Sequence, residues 1–430
     1  MSEKVIRVDA LARVEGEGFL HIKLRKGRLE ELQFRIFEPP RFFEAFLRGK
    51  SFMEVPDITS RICGICPVAY QMSSVHALES VFGAKPGPEI RELRRLLYCA
   101  EWIESHALHI FMLHAPDFLG YPDALAMAKK HKALVEMGLK LKKTGNDLMT
   151  LLGGREIHPV SVRVGGFYKA PTAAQLKALA PALEWARGAA EETLRFTAGL
   201  DFPVFEPDYE FVSLRHPDEY PLNEGRIVSN RGLDIPAADF NRVFEEVHQP
   251  HSNALHCVKK GSGPYMVGPM ARFNLNFDRL PAKVRRSCEK VKLVPGMRNP
   301  FRSIVVRAAE LLFACDEALR IVSTYREPKK PFVELEPRAG EGHAATEAPR
   351  GILYHRYRTD AKGAILEAQI VPPTSQNQGR IEADLREFIP GILKLPKEQF
   401  TLRCEQAVRN YDPCISCATH FLKVTVDDEA

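Results

Sequence analysis

The apolar pattern changes period within the first hundred residues. Val5 to Val8 and Phe19 to Arg25 alternate, and Lys26-Gly27 reads as a hairpin turn into Leu29 to Ile36, where Leu29, Leu32, Phe34 and Ile36 mark a partly alternating face. Alternation buries one face of a strand and exposes the other, so residues 1–50 predict a small antiparallel sheet. From Phe42 the spacing becomes helical, with Phe42, Phe43, Phe46 and Leu47 on a short turn that also carries Glu44. Gln71 to Phe82 follows as a helix. Pro88 to Leu113 follows as another, with Leu93, Leu96, Leu97, Ala100, Ile103, Ala107, Ile110 and Phe111 at steps of three and four.

The remainder is more mixed. Lys129 to Lys143 is lysine-rich at helical spacing, a solvent-facing stripe. Thr172-Ala173-Ala174-Gln175 is a capping box for a helix running to about Phe196. Residues 201–300, richer in Pro, Asn and Gly, predict short strands and loops. Ile304, Ala308, Leu311, Leu312, Cys315, Leu319 and Val322 mark a buried helix. Glu327 to Glu347, heavy in Pro, Gly and charge, predicts a long loop before a hairpin of Ile352–Tyr357 and Ala364–Val371. Pro372-Pro373 is too proline-rich for a central strand, and a mostly helical stretch closes the chain. The expected fold class is α+β, predominantly helical, with small antiparallel sheets around a helical core. No linker divides the chain.

Composition narrows this little. At 430 residues the chain can bury a large core. The formal charge of +5 neither requires nor excludes a nucleic-acid partner, and its basic excess reads as a solvated surface. No apolar run approaches the roughly 18 residues that span a bilayer, and no apolar signal region follows Met1-Ser2-Glu3-Lys4. Nine cysteines, an odd number with two C-x-x-C pairs, favour metal-bound thiolates in a reducing compartment over disulfides.

Those pairs, Cys63-Gly64-Ile65-Cys66 and Cys414-Ile415-Ser416-Cys417, lie at opposite ends of the chain. Thiolate sulfur selects Zn, Cu(I), Fe and Ni over hard cations. A structural zinc site remains open from spacing alone, although its pairs usually sit about 15–20 residues apart. Flanking charges favour a catalytic centre: Arg61 precedes the first pair and Asp412 the second, available to orient thiolates or move protons. Cys99, Cys257, Cys288, Cys315 and Cys404 lie singly in apolar or helical contexts and read as packed core thiols or partly exposed ones. His106, His109 and His114 lie within about two helical turns, open to a ligand role but more simply packed or solvated. Arg13-Val14-Glu15-Gly16-Glu17-Gly18 is, without context, an acidic surface turn. Gly153-Gly154 lacks the lysine of a phosphate-binding loop and reads as a tight turn.

Taken together, Arg61-Ile-Cys-Gly-Ile-Cys-Pro67 and Asp412-Pro-Cys-Ile-Ser-Cys-Ala-Thr-His420 resemble the two metal-binding motifs of the large, catalytic subunit of nickel–iron hydrogenases. Arg13-Val-Glu-Gly16, Arg41-Phe-Phe-Glu44, Gly153-Gly-Arg-Glu-Ile-His-Pro159, Glu347-Ala-Pro-Arg-Gly351 and Ile370-Val-Pro-Pro-Thr374 resemble that family's other landmarks, in its order, so the resemblance covers essentially the whole chain. It implies one large-subunit domain over residues 1–420. It also implies that 421–430 is a C-terminal peptide cut off during maturation.

By the same resemblance, Cys63 and Cys414 would be terminal nickel ligands. Cys66 and Cys417 would bridge nickel to an iron carrying carbon monoxide and two cyanides. Glu15 would pass protons beside the thiolates, and Arg350 would lie over the metals. Asp117 and Asp412 would complete the surrounding charge, and Pro349, Pro372, Pro373 and Thr374 would line the iron's ligands. Glu44, the Gln369 carbonyl and His420 would hold a separate magnesium or iron(II) ion. Heterolysis of hydrogen needs a Lewis acid and a base, and thiolates with a nearby carboxylate suit the proton's side of it. Tyr70, where membrane-bound relatives often carry histidine, and Pro373, where many carry Ser or Thr, resemble the cytoplasmic NAD(P)-linked or sulfhydrogenase branch. The implied partners are an iron–sulfur small subunit, flavin/NAD(P)-binding and ferredoxin-like subunits, and a maturation protease, with no nucleic acid and no membrane. Alternatives are coupling to a deazaflavin or ferredoxin, a scaffold of the respiratory complex I type, and a zinc-stapled non-catalytic protein.

Overall fold

A computed structural model describes residues 3–8, 11–26, 28–37 and 42–419. The Gly27 turn, Arg41, His420 and the 421–430 peptide therefore lie outside the described residues. The strands Glu3–Val8, Gly18–Arg25 and Arg28–Ile36 form an antiparallel meander, in register from Glu3 opposite Arg25 to Gly18 opposite Ile36. Leu20, Ile22, Leu32, Phe34 and Ile36 are buried, the alternation the sequence predicts.

The long helices Pro88–Leu108, Lys132–Gly153, Ala180–Ala198 and Ser303–Thr324 pack together in the main core. Gly145 allows a close approach between two of them: a Cβ there would stand 2.7 Å from the Ala100 carbonyl oxygen. The helix expected over 88–113 is α-helical to Leu108 and then widens into a π-turn over His109–His114 before Pro116. A π-turn inserts an extra residue and is a recurrent device near functional sites. Here it leads directly into Asp117.

Two expectations change. The 327–347 segment is a loop only in its first part, because Gly340–Ala348 is a strand paired with Gly351–Thr359, which pairs in turn with Ile365–Val371. Its small residues looked like loop composition. They permit close packing instead, since a Cβ on Gly342 would collide with the Ala77 carbonyl of the helix Pro67–Phe82. Within 201–300 the predicted short strands are present, but so are the helices Pro269–Asn276 and Ala282–Lys290. Pro372 caps the helix Pro373–Ile392, a position where a missing N–H costs nothing. Among the described residues no helix is long and apolar enough to cross a membrane.

Candidate metal centre

Each cysteine pair sits at the start of a helix. Cys66 caps Pro67–Phe82, and the backbone N–H groups of Ile65 and Cys66 donate to Cys63 Sγ at 3.3 and 3.1 Å. Donors of this kind, with the positive end of a helix dipole, favour thiolate. The other pair starts the one-turn helix Ile415–Ala418 and is held from a distance. Cys414 N–H donates to Thr374 Oγ1 at 3.0 Å, and Ile415 N–H to the Glu15 carbonyl at 3.0 Å.

The four sulfurs converge. Cys63 Sγ is 2.9 Å from Cys66 Sγ and 3.6 Å from Cys414 Sγ, and Cys414 Sγ is 2.6 Å from Cys417 Sγ. All four are buried free thiols whose ligand atoms lie within 4.8 Å of one another. Burial opposes ionisation of Cys63, yet the facing sulfurs of Cys414, Cys417 and Cys66, with Arg350, hold it well below an ordinary thiol. Cys414 is pushed the other way by the same sulfurs and by burial. Four thiolates in one buried space would repel one another, and a cation bound among them would relieve that repulsion.

Around them lie the charged groups. Glu15, in a partly buried loop rather than a plain surface turn, accepts from Cys414 Sγ and Ser416 N–H through Oε2, each at 3.1 Å. Arg350 occupies the two-residue turn between Ala348 and Gly351. It donates through Nε to the Asp412 carbonyl at 2.7 Å and through Nη2 to the Asp412 carboxylate at 3.2 Å. Burial alone would lower Arg350, but Asp412 and the sulfurs of Cys414, Cys66 and Cys63 hold it well above its ordinary value, so it stays charged. Asp412 has φ +52°, a left-handed conformation that costs a non-glycine residue about 1 kcal/mol or more. Asp117 is buried between Arg13 and Arg409, joining the Glu15 loop to the segment entering Asp412.

Other expected residues fall as follows. Pro349, Pro372, Pro373 and Thr374 are buried. Glu44 Oε1 accepts the Ile370 N–H at 2.7 Å, so its carboxylate lies against the Gln369–Ile370 peptide, while the Gln369 side chain bonds Asn241 and Glu246. Arg61 is half exposed and pairs with Asp57. His106, His109 and His114 are packed, not ligands among the described residues. His106 lies 3.1 Å from Glu310, and His109 bonds the Arg409 carbonyl at 3.0 Å. Burial lowers all three, His106 to about 4, which keeps them neutral. The five remaining cysteines are all buried.

Some site residues escaped sequence reasoning. Glu101 caps the helix behind Cys66, accepting from Val68 N–H at 2.7 Å and Ala69 N–H at 3.2 Å. Arg272 bonds Glu310, Glu347 and the carbonyls of Ala348 and Pro349, fixing the turn that carries Arg350. Glu101 is one of several charged residues on the amphipathic helix Pro88–Leu108, and Arg272 lies in a segment without clear periodicity, so neither carried a local signal.

Comparison with known proteins agrees with this geometry. Residues 41–138 and 305–420 match the family described as nickel-dependent hydrogenase. The chain is 34% identical over 423 residues to sulfhydrogenase 1 subunit alpha of Pyrococcus furiosus, covering 97% of this chain and 98% of that one. It is 32% identical to sulfhydrogenase 2 subunit alpha of the same organism, covering 98% and 100%. Among solved structures, an NAD+-reducing nickel–iron hydrogenase in the H2-reduced state superposes with TM-score 0.87 at 26% identity, over 97% of this chain and 99% of that one.

Proposed function

This chain belongs to the nickel-dependent hydrogenase family as a catalytic large subunit, and from that premise we propose how its residues divide the work and where its electrons go. The observation that carries the reading is the convergence of four buried thiols beside a carboxylate and a guanidinium. Cys63, Cys66, Cys414 and Cys417 would together hold a nickel–iron group whose iron carries carbon monoxide and two cyanides, Cys63 and Cys414 on the nickel alone and Cys66 and Cys417 shared by both metals. The donor set suits such soft metals. Arg350 Nη1 is a buried donor with no hydrogen-bond partner among the described residues, as suits an anionic acceptor such as a cyanide. When bound, the bimetallic group supplies the Lewis acidity and redox capacity for reversible hydrogen oxidation.

The chain's own residues handle the proton and the charge. Cys414 Sγ is a base within 3.1 Å of Glu15 Oε2, so a proton reaching that sulfur can pass to the carboxylate. Glu15 is partly exposed, which gives the proton an outward path. Arg350 contributes fixed positive charge without titrating, locked by Asp412. Asp117 is a positioning residue, acting through Arg13 and Arg409. Pro349, Pro372, Pro373 and Thr374 would line the space beside the iron's ligands. Glu44, the Gln369 carbonyl and His420 would hold a separate magnesium or iron(II) ion.

Electrons leave through an iron–sulfur small subunit. The relatives' designation as alpha subunits and the NAD+-reducing structural relative support further transfer to NAD(P) through flavin-binding and ferredoxin-like subunits in the cytoplasm. A maturation protease removes 421–430, leaving one domain over 1–420. Intact mass of active enzyme checks this: a mature chain still ending at Ala430 contradicts the cut. Reduction of NADP+ by hydrogen in the co-purified complex tests the acceptor. Hydrogen-dependent dye reduction without NAD(P) reduction would leave the catalytic assignment standing and overturn the coupling.

A further inference from the structure

A second cluster of metal-ligating side chains lies apart from the four thiols. His251, His256 and Glu382 each present one ligand atom, all within 4.8 Å of one another. They come from three places in the fold. His251 is in the turn between the strands Phe244–Gln249 and Ser252–Lys259, His256 is on the second of those strands, and Glu382 is on the helix Pro373–Ile392. His251 Nε2 is 2.8 Å from Glu382 Oε1, and the two imidazole rings stand nearly perpendicular, 5.9 Å between centroids.

A histidine–carboxylate pair alone would be ordinary packing. The third residue is what an ion pair does not explain. His256 is 3% exposed, and its Nε2 is buried with no hydrogen-bond partner among the described residues. Burial and the neighbouring His251 hold it at about 4, so at neutral pH it is an unprotonated imidazole, the form that ligates. A buried imidazole nitrogen left without a partner is unfavourable unless something fills the space beside it. Glu382 is also held by the backbone, since the Oε1 that faces His251 accepts the Phe34 N–H at 2.8 Å, the kind of contact that fixes a metal-binding carboxylate.

We propose that His251, His256 and Glu382 form a binding site for a borderline divalent transition-metal ion, of the Zn2+ class, that clasps the framework of the C-terminal cysteine pair. Two imidazoles and one carboxylate match three-ligand zinc sites with water in the fourth position and disfavour Mg2+ and Ca2+, which take oxygen. With ligand bonds of about 2.0–2.2 Å, small side-chain rotations close the present spacing. The clasp reaches the cysteine pair by two routes. Ala254, between the two histidines in the chain, bridges to Thr419, two residues past Cys417. Phe34, whose N–H meets Glu382, packs beside Ile415 across Gly18, where a Cβ would come within 2.7 Å of both side chains.

The test uses the anaerobically purified complex, equilibrated with Zn2+, desalted, and analysed for zinc, nickel and iron together. Wild type should retain about one zinc per chain that excess Mg2+ does not displace. Glu382→Gln and His256→Gln should each lower that zinc at least tenfold with nickel unchanged. Zinc misplaced at the four thiols would depend on Cys414 and not on Glu382, which separates failure here from failure of the proposed catalytic centre. Should His256→Gln lose nickel through misfolding, the less buried His251→Asn replaces it. Equal zinc in wild type and variants, or none in wild type, overturns the site.

Discussion

The two cysteine pairs have the same spacing and are held in opposite ways. The first is local: Cys63 takes hydrogen bonds from the backbone of its own knuckle, and Cys66 caps a long helix whose exposed amides are closed by Glu101. The second sits on a single helical turn, too short to hold itself. It is placed by Glu15 and Thr374, which meet Cys414 from 399 and 40 residues away in sequence, and by Arg350, which meets Asp412 from 62 residues away. The first pair is therefore a preformed half-site, and the second is assembled by the fold. The groups that assemble it are also the ones suited to moving the proton and fixing charge. Damage to the second half should cost chemistry, and damage behind the first should cost mainly stability.

The largest effect is expected from Cys417→Ser. A hydroxyl is a poor soft-metal bridge, so hydrogen turnover should vanish, and near wild-type activity would refute the ligand assignment. Glu15→Gln comes next. Proton exchange should slow by roughly 10²–10⁴, the usual worth of a positioned acid or base, with nickel and iron still bound. Loss of nickel in that variant would instead make Glu15 a structural tie to Ser416.

A smaller effect probes the anchoring of the second pair through stability. Asp384 accepts from the hydroxyls of Tyr209 and of Tyr411, the residue before Asp412, each at 2.6 Å. Burial outweighs Arg380 and these donors and raises Asp384 to about 6. The folded protein then binds more protons here than the unfolded chain. The associated stability is complete below the ordinary carboxylate value and is lost as pH rises through about 6. Between about pH 4 and 6, wild type should lose roughly 2–3 kcal/mol relative to Asp384→Asn. Parallel stability–pH curves for the two proteins would contradict this.

The smallest change is expected behind the first pair. Burial pushes the Glu101 carboxyl well above its ordinary value, which favours the neutral form that an amide mimics. Glu101→Gln should leave thermal stability nearly unchanged. Glu101→Ala should cost about 1–3 kcal/mol by orphaning the Val68 and Ala69 amides, with turnover per nickel preserved. A fall in turnover per nickel in Glu101→Gln would erase the contrast between the two halves.

What the sequence made legible divides along the same line. Period and capping are local, so the alternating strand Gly18–Arg25, the helix Pro88–Leu108 and the capping box at Thr172 were readable and are present. The two C-x-x-C spacings were equally plain. What assembles them is tertiary. The Gly340–Ala348 strand hid behind loop-like composition because its small residues serve packing against a helix. Arg272, which fixes the Arg350 turn through contacts 75–77 residues away, has no signature within its own segment. His251, His256 and Glu382 are likewise scattered in sequence and meet only in the fold.

The most direct test of the central claim is elemental analysis of the anaerobically purified protein, combined with infrared spectroscopy of the same sample. About one nickel per chain with a matching iron at the four thiols is expected, accompanied by carbonyl and cyanide stretching bands. Zinc in place of nickel, bound in a way that Cys63 and Cys414 substitutions abolish and with no such bands, would contradict it.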